Sequence, residues 1–79
     1  MTQGEWKNIF GDNLADLLEE KGMSQNKLAK DSKVSMGAIS DYINKFTAPS
    51  VFSIINIAYA LDVDIDELVD FGDRITNYR

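Results

Sequence analysis

The stretch SQNKLAKDSKVSMGAIS, residues 24–40, decides the fold. Ser24 has the chemistry of an N-cap for a short helix, QNKLAKD, in which Leu28 and Ala29 face inward. Ser35 can cap a second helix, MGAISDYIN, whose Ile39, Tyr42 and Ile43 keep the i, i+3, i+4 spacing of a buried face. Only Ser32, Lys33 and Val34 are left between the two. They make a tight turn, so the two helices meet at close range and Ala29 sits at their contact.

Outward from this pair the same periodicity recurs. In FGDNLADLLEEKG, Phe10, Leu14, Leu17 and Leu18 share one helical face while Asp12, Asp16, Glu19 and Glu20 lie off it. Lys21 and Gly22 supply a cationic end and a left-handed stop. The start of this first helix is open: Thr2 with Glu5 has the pattern of a capping box, whereas Gly4 and Gly11 both weaken a long helix. After the loop KFTAPS, Ser50 caps a fourth helix, in which Val51, Ile54, Ile55, Ala58 and Leu61 form an apolar stripe widened by Phe52, Ile57 and Tyr59. Asp64 and Glu67 form an acidic capping box before Ile65, Leu68 and Val69, a fifth short helix ending near Gly72. The expectation is an all-α fold, a compact bundle of five short helices.

The chain of 79 residues makes one domain, 1–79, with its central pair at 24–44 and a loose tail at 73–79. It has no cysteine and no histidine, which removes disulfides, thiolate zinc sites, a cysteine nucleophile and the usual imidazole base. With 44% hydrophobic and 27% charged residues it has an ordinary globular composition. The amino terminus MTQGEWKNIFGDNL is not a secretory leader, and no run of about 18 apolar residues occurs, so a cytoplasmic location without membrane contact is expected.

Several separate stretches then agree in order and spacing with one family. FGDNLADLLEEKGMSQNKLAKDSKVS, Ile39, Ser40 and Tyr42, Pro49-Ser50 and IAYALDVDIDEL resemble the phage repressor and Cro-type helix-turn-helix domain, the XRE family, from about Phe10 to Val69. The resemblance implies a lambda-repressor-like fold and a partner of double-stranded DNA, bound by a homodimer. One position departs from the family: its turn usually carries a left-handed glycine, and here Lys33 stands in that place. A lysine at positive φ costs roughly 1 kcal/mol relative to glycine.

The net charge of −5 is the wrong sign for a protein that neutralises phosphates. Its distribution removes the conflict. Residues 21–45 hold Lys21, Lys27, Lys30, Lys33 and Lys45 against Asp31 and Asp41, a net of +3, while residues 1–20 carry −4 and residues 46–73 carry −6. At physiological salt the screening length is about 8 Å, so distant carboxylates subtract little from contacts at the basic segment.

In helix-turn-helix geometry the start of the second helix enters the major groove. That places Ser35, Met36, Gly37, Ser40 and Asp41 at base edges. The set lacks the Gln, Asn and Arg of bidentate readout, so DNA shape is expected to share in specificity. By resemblance Gln25 donates to a phosphate and Asn44 with Lys45 forms a second phosphate clamp; Lys27, Lys33 and Thr47 are further phosphate candidates. Phe71, Ile75 and Tyr78 near the carboxyl end are candidate dimer residues.

DVDIDE places Asp62, Asp64 and Asp66 at the spacing that opens a calcium loop, but Glu67 occupies the position that needs glycine and Asp73 the one that needs glutamate. No cofactor, small-molecule ligand or enzymatic activity is expected. The function expected is a sequence-specific DNA-binding transcriptional regulator, a repressor of phage or mobile-element type acting on an inverted-repeat operator. Its alternative is a protein-interaction module of the same fold that regulates another factor through the acidic faces of helix 1 and residues 62–73.

Overall fold

The computed structural model describes residues 2–70, which form five helices: α1 (Gln3–Lys21), α2 (Gln25–Ser32), α3 (Met36–Ile43), α4 (Val51–Leu61) and α5 (Ile65–Leu68). Each starts where local chemistry places it. Thr2 Oγ1 accepts from the Glu5 N–H at 3.1 Å and Glu5 Oε1 accepts from the Thr2 N–H at 3.1 Å, so α1 begins at the capping box rather than near Phe10. Ser24, Ser35 and Ser50 accept from the N–H groups of Lys27, Ala38 and Ser53, each at 3.1 Å. Glu67 accepts from the Asp64 N–H at 3.2 Å and closes the start of α5.

The core collects the inner faces of all five helices. Phe10, Leu14, Leu28, Ile39, Ile57, Leu61 and Leu68 are fully buried. The Phe10 ring meets Tyr42 edge-on with centroids 5.7 Å apart, and Trp6 packs on Phe10 at the same separation. α1 lies across α3, α4 and α5, and α2 packs on α3 and α4. Asn13 fastens α1 to the end of α5, its Nδ2 donating to the carbonyls of Leu68 and Asp70 at 2.9 Å each.

α5 ends at Leu68 rather than near Gly72, and the structure adds to the sequence reading at two further places. Gly11 is buried inside α1, where a Cβ would lie 2.5 Å from the Tyr42 carbonyl oxygen. The glycine that weakens α1 locally is therefore what lets it lie against the end of α3. In α4 the buried face is Ser53, Ile57, Ala58 and Leu61, while Val51 and Ile55 point outward with Phe52 and Tyr59. Most positions of α4 are apolar, so its periodicity does not select a face. Ser53 sits inside because Tyr42 Oη donates to its Oγ at 2.9 Å.

The dimer candidates Phe71, Ile75 and Tyr78, and the tail 73–79, lie outside the described residues.

Candidate nucleic-acid interface

The turn between α2 and α3 is built on the residue that departs from the family. Lys33 takes φ 62° and ψ 17°, the left-handed conformation usually given to glycine, and its N–H donates to the Ala29 carbonyl at 3.1 Å. Ser32 is buried and its Oγ accepts from the Val34 N–H at 3.2 Å, which holds the chain as it leaves the turn. Val34 and Ile39 then enter the core together, with Ala29 half-buried beside it. These pegs fix the inner side of α3 and leave its first turn facing out.

Ser35, Met36 and Gly37 are exposed, Met36 at 42%, whereas Ser40 and Asp41 are half-buried one turn further along. The Ser35 oxygen caps α3 by accepting from Ala38, so its hydroxyl hydrogen is what remains to donate outward. Asn44 Nδ2 donates to Ser40 Oγ at 3.2 Å and joins a base candidate to a phosphate candidate. A Cβ on Gly37 would meet no atom within 4 Å. Internal packing therefore does not require glycine at 37.

The phosphate candidates divide by their present partners. Lys27 is exposed and pairs with Asp31 at 2.8 Å along α2. Lys45 pairs with Asp12 at 2.7 Å, has φ 66°, and lays its stem near Gly11. Its charge ties the end of the α3 segment to α1. Lys33, Asn44 and Thr47 are exposed, and Gln25 is half-buried at the first residue of α2. Lys30 and Lys33 make no ion pair with any described residue. Lys30 is counted in the basic segment of the sequence but is not among the phosphate candidates; its place three residues after Lys27 is the signal that sets it beside them.

A depression between the end of α2 and α4, lined by Asp31, Ser32, Lys33, Asn56 and Tyr59, has a volume of about 180 Å³. Small-molecule sites usually need roughly 300 Å³ or more. No described helix is long and apolar enough to cross a membrane.

Residues 14–68 match the family model HTH_3, described as helix-turn-helix. Among solved structures, the restriction-modification controller protein C.AhdI from Aeromonas hydrophila is 31% identical over 78% of this chain and 94% of its own, with a TM-score of 0.75. An HTH_3 family transcriptional regulator from Vibrio cholerae superposes with a TM-score of 0.82 at 19% identity, over 85% of this chain and 38% of that one, a likeness of fold. No curated protein matches the chain. The regulators of this family are not enzymes. The matched span holds both helices of the motif, the turn at Lys33 and most of the core that carries them, and the chain belongs to the HTH_3 helix-turn-helix family as a DNA-binding regulator.

Proposed function

We propose that this chain is a cytoplasmic, sequence-specific transcriptional repressor of phage or mobile-element type, which binds an inverted-repeat operator as a homodimer. The observation that carries the reading is the outward first turn of α3, held by Val34, Ile39 and Tyr42 on its inner side and flanked by the lysines of α2. The likeness to a restriction-modification controller matched over 94% of its length supports a regulatory role for a domain of this size.

In this reading Met36 packs on a thymine methyl, and Gly37 lets the backbone approach the groove floor. The hydroxyls of Ser35 and Ser40 donate to base edges, and Asp41 accepts from a cytosine amino group. Gln25, Lys27, Lys33, Asn44, Lys45 and Thr47 hold the flanking phosphates and fix the register. Two copies span half-sites about one helical turn apart, roughly 34 Å. With no bidentate side chain in the groove, the shape and bendability of the operator carry much of its specificity.

The test is repeated selection of a random duplex pool by the purified protein, followed by fluorescence anisotropy on the enriched fragments. Enrichment of an inverted repeat, with binding weakened at least tenfold by Lys33→Ala or Asn44→Ala, is the expected result. A pool that stays random after selection sinks the operator reading and directs attention to a protein partner for the acidic faces.

A further inference from the structure

Helix α4, VFSIINIAYAL, contains no charged residue. Its inner side fills the core through Ile57, Ala58 and Leu61. On its outer side Val51, Ile55 and Tyr59 follow one another at four-residue spacing with Phe52 beside them, and they are 72%, 50%, 88% and 67% exposed in that order. Single exposed apolar side chains are ordinary, but a contiguous row on one helix marks a contact surface. The four residues together present roughly 500 Å² of apolar area, most of it from the two aromatic rings.

We propose that this row is the homodimer interface, with α4 of one copy packed on α4 of a second copy about a two-fold axis and Ile55 nearest that axis. The inference rests on the operator-binding reading for its purpose and on α4 for its geometry. Charge is the first reason for a second copy as the occupant. Each copy carries −5, so pairing through the acidic side of α1, with Asp16, Glu19 and Glu20, or through Asp62, Asp64 and Asp66 sets like charges against each other. The row on α4 itself carries no charge.

Area is the second reason. Two copies bury roughly 1,000 Å² in total, just under the ~1,200 Å² at which lasting complexes begin. An interface of that size gives a reversible dimer that DNA completes, which suits a protein that finds its operator by exchanging sites. Coupling is the third. The Tyr42 Oη to Ser53 Oγ bond, extended by the bond of 3.2 Å from Ser50 Oγ to Ser53 Oγ, fixes α4 to the recognition helix α3. A dimer made through α4 therefore sets the separation and angle of its two α3 helices without passing through a loop.

Sedimentation equilibrium of the full chain and of Ile55→Asp, with far-UV circular dichroism to confirm the fold, tests the interface directly. Wild type is expected to dimerise reversibly, and Ile55→Asp to weaken the dimer at least ~100-fold while keeping wild-type affinity for an isolated half-site. A second variant gives an independent reading. The wild-type chain has no cysteine, so Ile55→Cys carries the only thiol and is expected to form a disulfide dimer under air oxidation, whereas Glu20→Cys on α1 is not. Dimerisation of Ile55→Asp as strong as wild type, or a wild type that stays monomeric both free and on DNA, overturns the proposal. A wild type that dimerises through Ile55 yet enriches no operator leaves the interface standing and removes only the DNA reading.

Discussion

Helices α3 and α4 begin alike and end up presenting opposite surfaces. Each follows a serine cap that accepts from the N–H three residues on, and each fastens one side in the core. Outward, α3 shows Met36, Gly37 and small hydroxyls beside a basic segment, while α4 shows Val51, Phe52, Ile55 and Tyr59 with no charge in the helix. Burial explains why both are helices, and says little about what either meets. The difference that separates a groove-reading surface from a protein-binding one lies entirely in the side chains the core does not use.

The strongest way to break this pairing of roles is to move α3 on its support. Gly11→Ala drives a methyl to 2.5 Å from the Tyr42 carbonyl, a backbone atom that cannot rotate away. We expect a loss of about 2–3 kcal/mol in urea denaturation and displaced amide resonances along α3. An unchanged midpoint contradicts the close approach of α1 to α3.

Cutting the link between the two helices has a smaller effect. Tyr42→Phe removes the donor to Ser53, which keeps its bond to Ser50, so a cost of about 1 kcal/mol is expected. If α4 sets the spacing of paired α3 helices, this variant also loses affinity for a two-half-site operator more than for one half-site. Equal losses on both would show that the bond contributes stability alone.

Lys33→Gly separates folding from binding in the turn itself. Glycine relieves the left-handed strain and should raise stability by about 1 kcal/mol, read as a rise in Tm of several degrees for a domain of this size. DNA affinity should fall in the same variant through loss of the charge. A variant that is more stable and binds equally well removes Lys33 from the phosphate contacts.

The smallest effect lies far from both helices. The Thr2 backbone N–H, and then its side chain, hold the Glu5 carboxyl below the usual carboxylate range. Because the folded value is lowered, the stabilisation is present above the unfolded value and disappears as pH falls through the folded one. Protection of the first-turn amides of α1, taken relative to the intrinsic exchange rate at each pH, should fall over that acid interval in wild type and be insensitive to it in Glu5→Gln.

Local chemistry was legible in the sequence wherever cause and effect lie within a few residues. The caps at Ser24, Ser35, Ser50 and Asp64 and the stop at Gly22 follow from neighbours three or four positions away, whereas the positive φ of Lys33 was legible only through the family resemblance. The packing role of Gly11 was not legible because its reason, the Tyr42 carbonyl, comes from another helix. The face of α4 was misjudged because apolar residues surround nearly its whole circumference, leaving Ser53 as the informative position and Tyr42 as its unseen partner. At the candidate interface, composition located the basic segment, but which lysines are already engaged depends on Asp12 and Asp31 in the folded chain.

Those engaged lysines alter how the protein exchanges ions with its solution. Each free lysine that meets a phosphate releases counterions condensed on the duplex, and binding then weakens with added salt by a slope of about 0.9 per contact. Lys27 already neutralises Asp31, so bringing it to a phosphate leaves that carboxylate to collect a cation from the solution. That uptake offsets part of the release. If the phosphate contacts are as proposed, net ion release is governed mainly by lysines with no ion pair among the described residues, such as Lys33, and an acidic chain gains a grip on DNA that varies less with ionic strength than a count of its lysines implies.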